Sequence, residues 1–154
     1  MTPSAAAISD LLGRAEYEGY GKHKRNPELW DLAAFHGYAP DRTFCEDAGF
    51  TIDDARRIMP LLKRGIAAGL FSEQERQEVP AKLWTIDDNG WIYEFAITNA
   101  TKPLYHGYPV RRSDAMARKV IDRFEEHAER CAAARAPNAD SIIAALRAAQ
   151  DFYS

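Results

Sequence analysis

Residues 82–98 read KLWTIDDNGWIYEFAIT, two runs rich in aromatic and β-branched side chains either side of Asp88-Asn89-Gly90. An Asn-Gly pair between such runs is the strongest short-range hairpin signal, because both residues accept the positive φ of a tight turn. Taken as a two-residue turn, Asn89-Gly90 sets Trp84 opposite Phe95, Ile86 opposite Tyr93 and Asp88 opposite Trp91. That register gathers the large rings on one face and leaves Thr85, Asp87 and Glu94 on the other.

Outward from the hairpin the chain reads mostly as helix. Residues 51–68 open on Thr51 and Asp54, a capping-box spacing, and carry Ala55, Ile58, Met59, Leu62 and Ile66 on one side. Pro60 predicts a kink or two abutting helices, since an interior proline costs about 3 kcal/mol. Residues 4–17, 27–35 and 113–135, with a last segment capped at Asn138 or Asp140, bring the count to about five helices. Residues 37–49 and 72–80 read as loops, and 104–110 as an extended third strand beside the hairpin. The expected fold is α+β, a single domain over 1–154: a small antiparallel sheet built on the 82–98 hairpin and packed by about five helices.

At 154 residues, 46% hydrophobic and 28% charged, the chain has the make-up of an ordinary globular domain with a real core. A net charge of -3 argues against a nucleic-acid coat protein while leaving room for a local basic site. Cys45 and Cys131 stand far apart, and no apolar run is long enough for export or membrane spanning, so free thiols in the cytoplasm are expected, with no membrane partner.

Two sequence regions carry residue types suited to chemistry. Lys22-His23-Lys24-Arg25 is a basic cluster, and Tyr105-His106-Gly107-Tyr108 holds a second histidine between tyrosines. A ribonuclease that works without metal needs a base for the ribose 2′-hydroxyl, an acid for the leaving oxygen and cations on the phosphate. His23 and His106 supply the first two and Lys22 and Lys24 the third, with tyrosines to stack on splayed bases. The layout of residues 51–110 loosely resembles small bacterial ribonuclease toxins of the barnase and RelE type, which place helices before a compact antiparallel sheet. No motif matches residue by residue, so the resemblance assigns no site residues.

Three other readings compete. A hairpin face crowded with rings suits a protein-binding module of the inhibitor, immunity or adaptor kind, with Trp84, Trp91, Tyr93, Tyr105, Tyr108, Arg111 and Arg112 as contact residues. A winged-helix DNA-binding protein would use 51–68 as helix-turn-helix and 82–98 as the wing. His127 and Cys131 share a helix face, but no recognised metal-ligand spacing occurs, and neither a metal nor another cofactor is expected. The order of expectation is protein binding first, ribonuclease second, with RNA as the partner, and DNA binding third.

Overall fold

The chain does double back at Gly90, but one residue away from the expected register. In the computed structural model, which describes residues 3–40 and 42–154, β4 (Lys82–Ile86) pairs with β5 (Ile92–Asn99). Leu83 lies opposite Phe95, Trp84 opposite Glu94, Thr85 opposite Tyr93 and Ile86 opposite Ile92. The Asp87 N–H donates to the Trp91 carbonyl at 2.9 Å, so three residues, 88–90, make the turn. Asp87 also turns its carboxylate inward, where it accepts from the N–H groups of Asn89 and Trp91, each at 2.9 Å. Gly90 closes the loop at φ +89°, the left-handed residue that a three-residue hairpin needs.

A one-residue slip exchanges the faces of a strand. Trp84 therefore lies with Ile86 and Ile92 on one side, while Leu83, Tyr93 and Phe95 lie on the other. The expectation of one ring-bearing face is corrected: buried rings lie on both faces of the hairpin. The first side packs on α3 (Met116–Ala133) and α4 (Ala139–Phe152) through Val120, Phe124, Ile142 and Leu146. The second packs on α1 (Ala5–Arg14) and α2 (Ile58–Ala67) through Leu11, Leu62 and Ile66. Each cluster excludes water from one set of alternate strand positions, and that burial is the main source of stability for the sheet.

The fold is α+β, but the sheet is mixed and the described residues form four α-helices rather than five. The sheet order is β1-β6-β5-β4, with β6 (Leu104–Pro109) antiparallel to β5, as expected for a third strand. β1 (Glu16–Tyr17) pairs in parallel with β6, where a helix over 4–17 was expected. Ser4 caps α1 by accepting from Ala7 N at 3.1 Å, and Ala15 turns extended and ends it. The missing fifth helix is 27–35, which forms only a 3₁₀ turn, Pro27–Trp30, halted at Asp31 in the left-handed region. Residues 72–80 are not wholly loop, since β2 (Glu75–Arg76) and β3 (Val79–Pro80) form a separate two-stranded ribbon. Asp41, inside the expected 37–49 loop, lies outside the described residues.

Pro60 falls in the first turn of α2, where a backbone N–H has no intrahelical partner to lose. A 3₁₀ segment, Ile52–Arg57, abuts it and carries the Thr51–Asp54 capping box. No helix among the described residues is long and apolar enough to cross a membrane.

Candidate active site

Two residues of β1 build the site. Glu16 and Tyr17 align with Leu104 and Tyr105, and Glu18 N donates to the Tyr105 carbonyl at 2.8 Å. The chain then runs past the remaining edge of β6 as residues 20–24. Gly21 is required there, since a Cβ would sit 2.1 Å from the Ala33 carbonyl oxygen. His23 and Lys24, adjacent in sequence, reach opposite faces of β6. His23 enters a cleft, and Lys24 enters the core beside Cys45.

In the cleft the His23 imidazole stacks on the Tyr108 ring at 4.3 Å between centroids and lies 5.8 Å from the His106 ring. Tyr20 meets His106 edge-on at 5.0 Å. His106 and Tyr108 project from β6 on the same face as Glu94 and Ala96 of β5, because His106 pairs with Ala96 and Tyr108 with Glu94. Lys22, Arg42 and Arg111 complete a cleft of about 630 Å³. A smaller groove of about 220 Å³ shares Arg42 and Arg111 and adds Trp91 and Arg112.

Hydrogen bonding fixes the protonation of one imidazole. His23 Nδ1 lies 2.9 Å from the Thr43 carbonyl oxygen, which can only accept. Nδ1 therefore carries the hydrogen and Nε2 keeps a lone pair, the state of a general base. His106 Nδ1 lies 2.9 Å from the Thr98 hydroxyl, which can donate or accept, so His106 Nε2 is free to carry a proton. Neither Nε2 is hydrogen-bonded to the described residues.

Burial is the main reason that both rings titrate low. It pushes His23 down to about 4 against the opposing hydrogen bond to Thr43, helped by the charges of His106, Lys22 and Lys24. His106 is pushed to about 4 by burial and then by Lys22 and Lys24. Replacing Lys22 by glutamine removes a nearby positive charge, so both imidazole pKa values should rise. Titration of the ring carbons by NMR measures this directly, and unchanged values in Lys22→Gln would place the lysine charge too far away to matter.

Two carboxylates line the cleft, Asp114 and, on β5, Glu94. Glu94 accepts from the Tyr108 hydroxyl and, at 3.1 Å, from Trp84 Nε1, and Lys82 Nζ lies 3.3 Å away. Its orientation is thus set from three sides.

Of the residues expected from sequence, His23, His106, Lys22, Tyr108 and Arg111 meet in this cleft. Lys24 does not join them, because its amine is buried against Cys45 Sγ at 3.0 Å and over the Trp30 ring at 4.2 Å. Tyr105 has no exposed ring to offer a base, being fully buried with its hydroxyl on the Pro80 carbonyl at 2.7 Å. Trp84 and Tyr93 are core residues. Trp91 is half-buried against Phe152 at 4.5 Å, and Arg112 packs over the same ring. Glu94, Arg42, Thr43 and Tyr20 are the site residues that sequence reading missed. For Glu94 the signal was present, as its β5 position alternates with buried rings.

Trp84, Tyr93 and Phe95 of the hairpin pack into the two core clusters. On the 51–68 segment, Arg57 and Arg64 pair with Asp54 and Asp88. Among the described residues no three His, Cys, Asp or Glu side chains are grouped to hold a metal ion. No protein-family model, curated protein or solved structure matches the chain.

Proposed function

We propose that the chain is a metal-independent endoribonuclease that cuts single-stranded RNA by transfer of the phosphoryl group to the ribose 2′-oxygen. The observation that supports this best is the pairing of two imidazoles 5.8 Å apart in one cleft with Lys22 and Arg42. His23 Nε2 takes the proton from the 2′-hydroxyl, and the oxygen then attacks the adjacent phosphorus. His106 Nε2, protonated, gives its proton to the departing 5′-oxygen. Lys22, Arg42 and Arg111 face the phosphate and offset the charge that builds on its free oxygens in the transition state. Tyr108 and Glu94 hold the imidazole pair in place, the first by stacking on His23 and the second through the Tyr108 hydroxyl.

The test is cleavage of a fluorophore-labelled single-stranded RNA in the presence of a chelator, with the matching DNA as control. Cleavage of RNA alone, leaving a 2′,3′-cyclic phosphate, is the expected result. Intact RNA, or equal cleavage of the DNA, would refute the proposal.

A protein-binding role is the second reading. The rings expected to carry it lie largely in the core, and among the described residues the exposed large apolar side chains are Leu29 and Tyr38, with Tyr20 and Ile52 less so. What favours it is the exposure of Tyr38, at 93%.

A further inference from the structure

We propose that Lys24 and Cys45 form an oxidant-sensitive pair that closes into a covalent bridge, lysine Nζ–O–Sγ cysteine. Neither side chain lines the cleft. Their reactive atoms lie 3.0 Å apart, and the residues are only 4% and 3% exposed. That separation is well beyond a direct nitrogen–sulfur bond and close to the span of two bonds through one oxygen. Cys45 Sγ also points at the Gly107 carbonyl, 3.6 Å away, so the thiol is held beside the strand that carries His106 and Tyr108.

There is room for the bridging oxygen beside the pair. Lys24 and Cys45 border a void of about 20 Å³ together with Tyr17, Phe95 and Tyr93. A void of that size holds one water-sized molecule.

With hydrogen peroxide as oxidant the chemistry balances in three steps. The thiolate attacks one peroxide oxygen, the O–O bond breaks, and a sulfenic acid and water result. The free amine is oxidised by a second peroxide to the hydroxylamine, again releasing water. The two hydroxyl groups then condense, forming the O–S bond and expelling a third water. Two electrons leave sulfur and two leave nitrogen, and the two peroxides take up all four.

Burial opposes the Lys24 ammonium, but Cys45 and Tyr17 outweigh it and hold the amine above the ordinary lysine value. Burial also pushes the Cys45 thiol up. The resting pair is therefore ammonium and thiol, and bridge formation gains rate as pH rises. The bridge also removes the Lys24 charge that helps to lower both imidazoles, so His23 and His106 should titrate higher in the oxidised chain.

The experiment treats the full chain with hydrogen peroxide at neutral and alkaline pH and reads intact mass. A gain of about 14 Da, one oxygen in and two hydrogens out, is expected, faster at alkaline pH and reversed by dithiothreitol. Peptide mapping should join Lys24 to Cys45, and Cys131→Ser should keep the gain while Cys45→Ser and Lys24→Arg lose it. Oxidation of Cys45 to the sulfinic acid, a gain of about 32 Da, a Cys45–Cys131 disulfide, or no change at Cys45 would each overturn the proposal. The mass readout does not depend on RNA cleavage, so its failure leaves the ribonuclease proposal standing and the converse also holds.

Discussion

Changing His23 to asparagine is expected to slow RNA cleavage by about 100- to 10,000-fold, the usual loss on removing a general base. Asparagine is the informative substitution because its amide nitrogen takes the place of Nδ1. It can keep the hydrogen bond to the Thr43 carbonyl while the basic Nε2 is lost. His106→Asn should cost a similar factor, and the double variant little more than either single one, since base and acid serve one transition state. Thermal unfolding of each variant separates loss of chemistry from loss of fold. The pH dependence follows from the same geometry. Both imidazoles titrate near 4 in the free chain, so kcat/KM, which reports the free enzyme, should peak on the acid side of the ordinary histidine value of 6.5. Below the peak His23 is protonated and cannot accept; above it His106 lacks the proton to give. In Lys22→Gln the peak should move to higher pH. A peak at or above neutrality with normal cleavage would show that other groups carry the protons.

The residue types of the site were legible in the sequence, but their meeting was not. His23 and His106 lie 83 positions apart in the chain, and what joins them is a parallel pairing of two residues, Glu16–Tyr17, at the end of a run with helical periodicity. No periodicity signal resolves a strand of that length. Lys24 was placed among the phosphate-binding cations because LysHisLysArg reads as a solvated cluster. It is the fold that brings Trp30 and Cys45 over its amine. Arg42 sits in a segment that sequence marks merely as loop. The hairpin itself was readable, and so was the strand after it, because aromatic and β-branched runs with a glycine turn leave few alternatives. The register was not, since Asn89-Gly90 suits a two-residue turn as well as the last two positions of a three-residue one. The Asp87 carboxylate decides between them by accepting from the N–H groups of Asn89 and Trp91, the second of which the shorter turn would give to the Asp88 carbonyl.

Gly90→Ala should destabilise the chain by about 2–6 kcal/mol, from two separate causes that act at one atom. The first is conformational: φ of +89° is open to glycine and strained for alanine, at about 1–3 kcal/mol. The second is steric. A Cβ at this position would stand 2.4 Å from the carbonyl carbon and 2.6 Å from the carbonyl oxygen of Ala148 in α4. Backbone cannot swing aside as a side chain can, so either the turn or the helix has to move, and overpacking of this kind costs about 1–3 kcal/mol. Moving α4 is resisted just beyond its C-terminal end, where the Tyr153 hydroxyl donates to the Val110 carbonyl at 2.9 Å and accepts from Ile92 N at 3.0 Å. It is resisted along its length by the buried Ile142, Ala145 and Ala149. Asn89→Ala, one residue earlier and exposed, is the matched control and should change stability by less than about 1 kcal/mol. Urea denaturation with equal slopes for both variants gives the comparison. If Gly90→Ala unfolds within about 1 kcal/mol of the parent chain, the turn does not seat against α4, and the two-sided burial of the hairpin loses its anchor at that end.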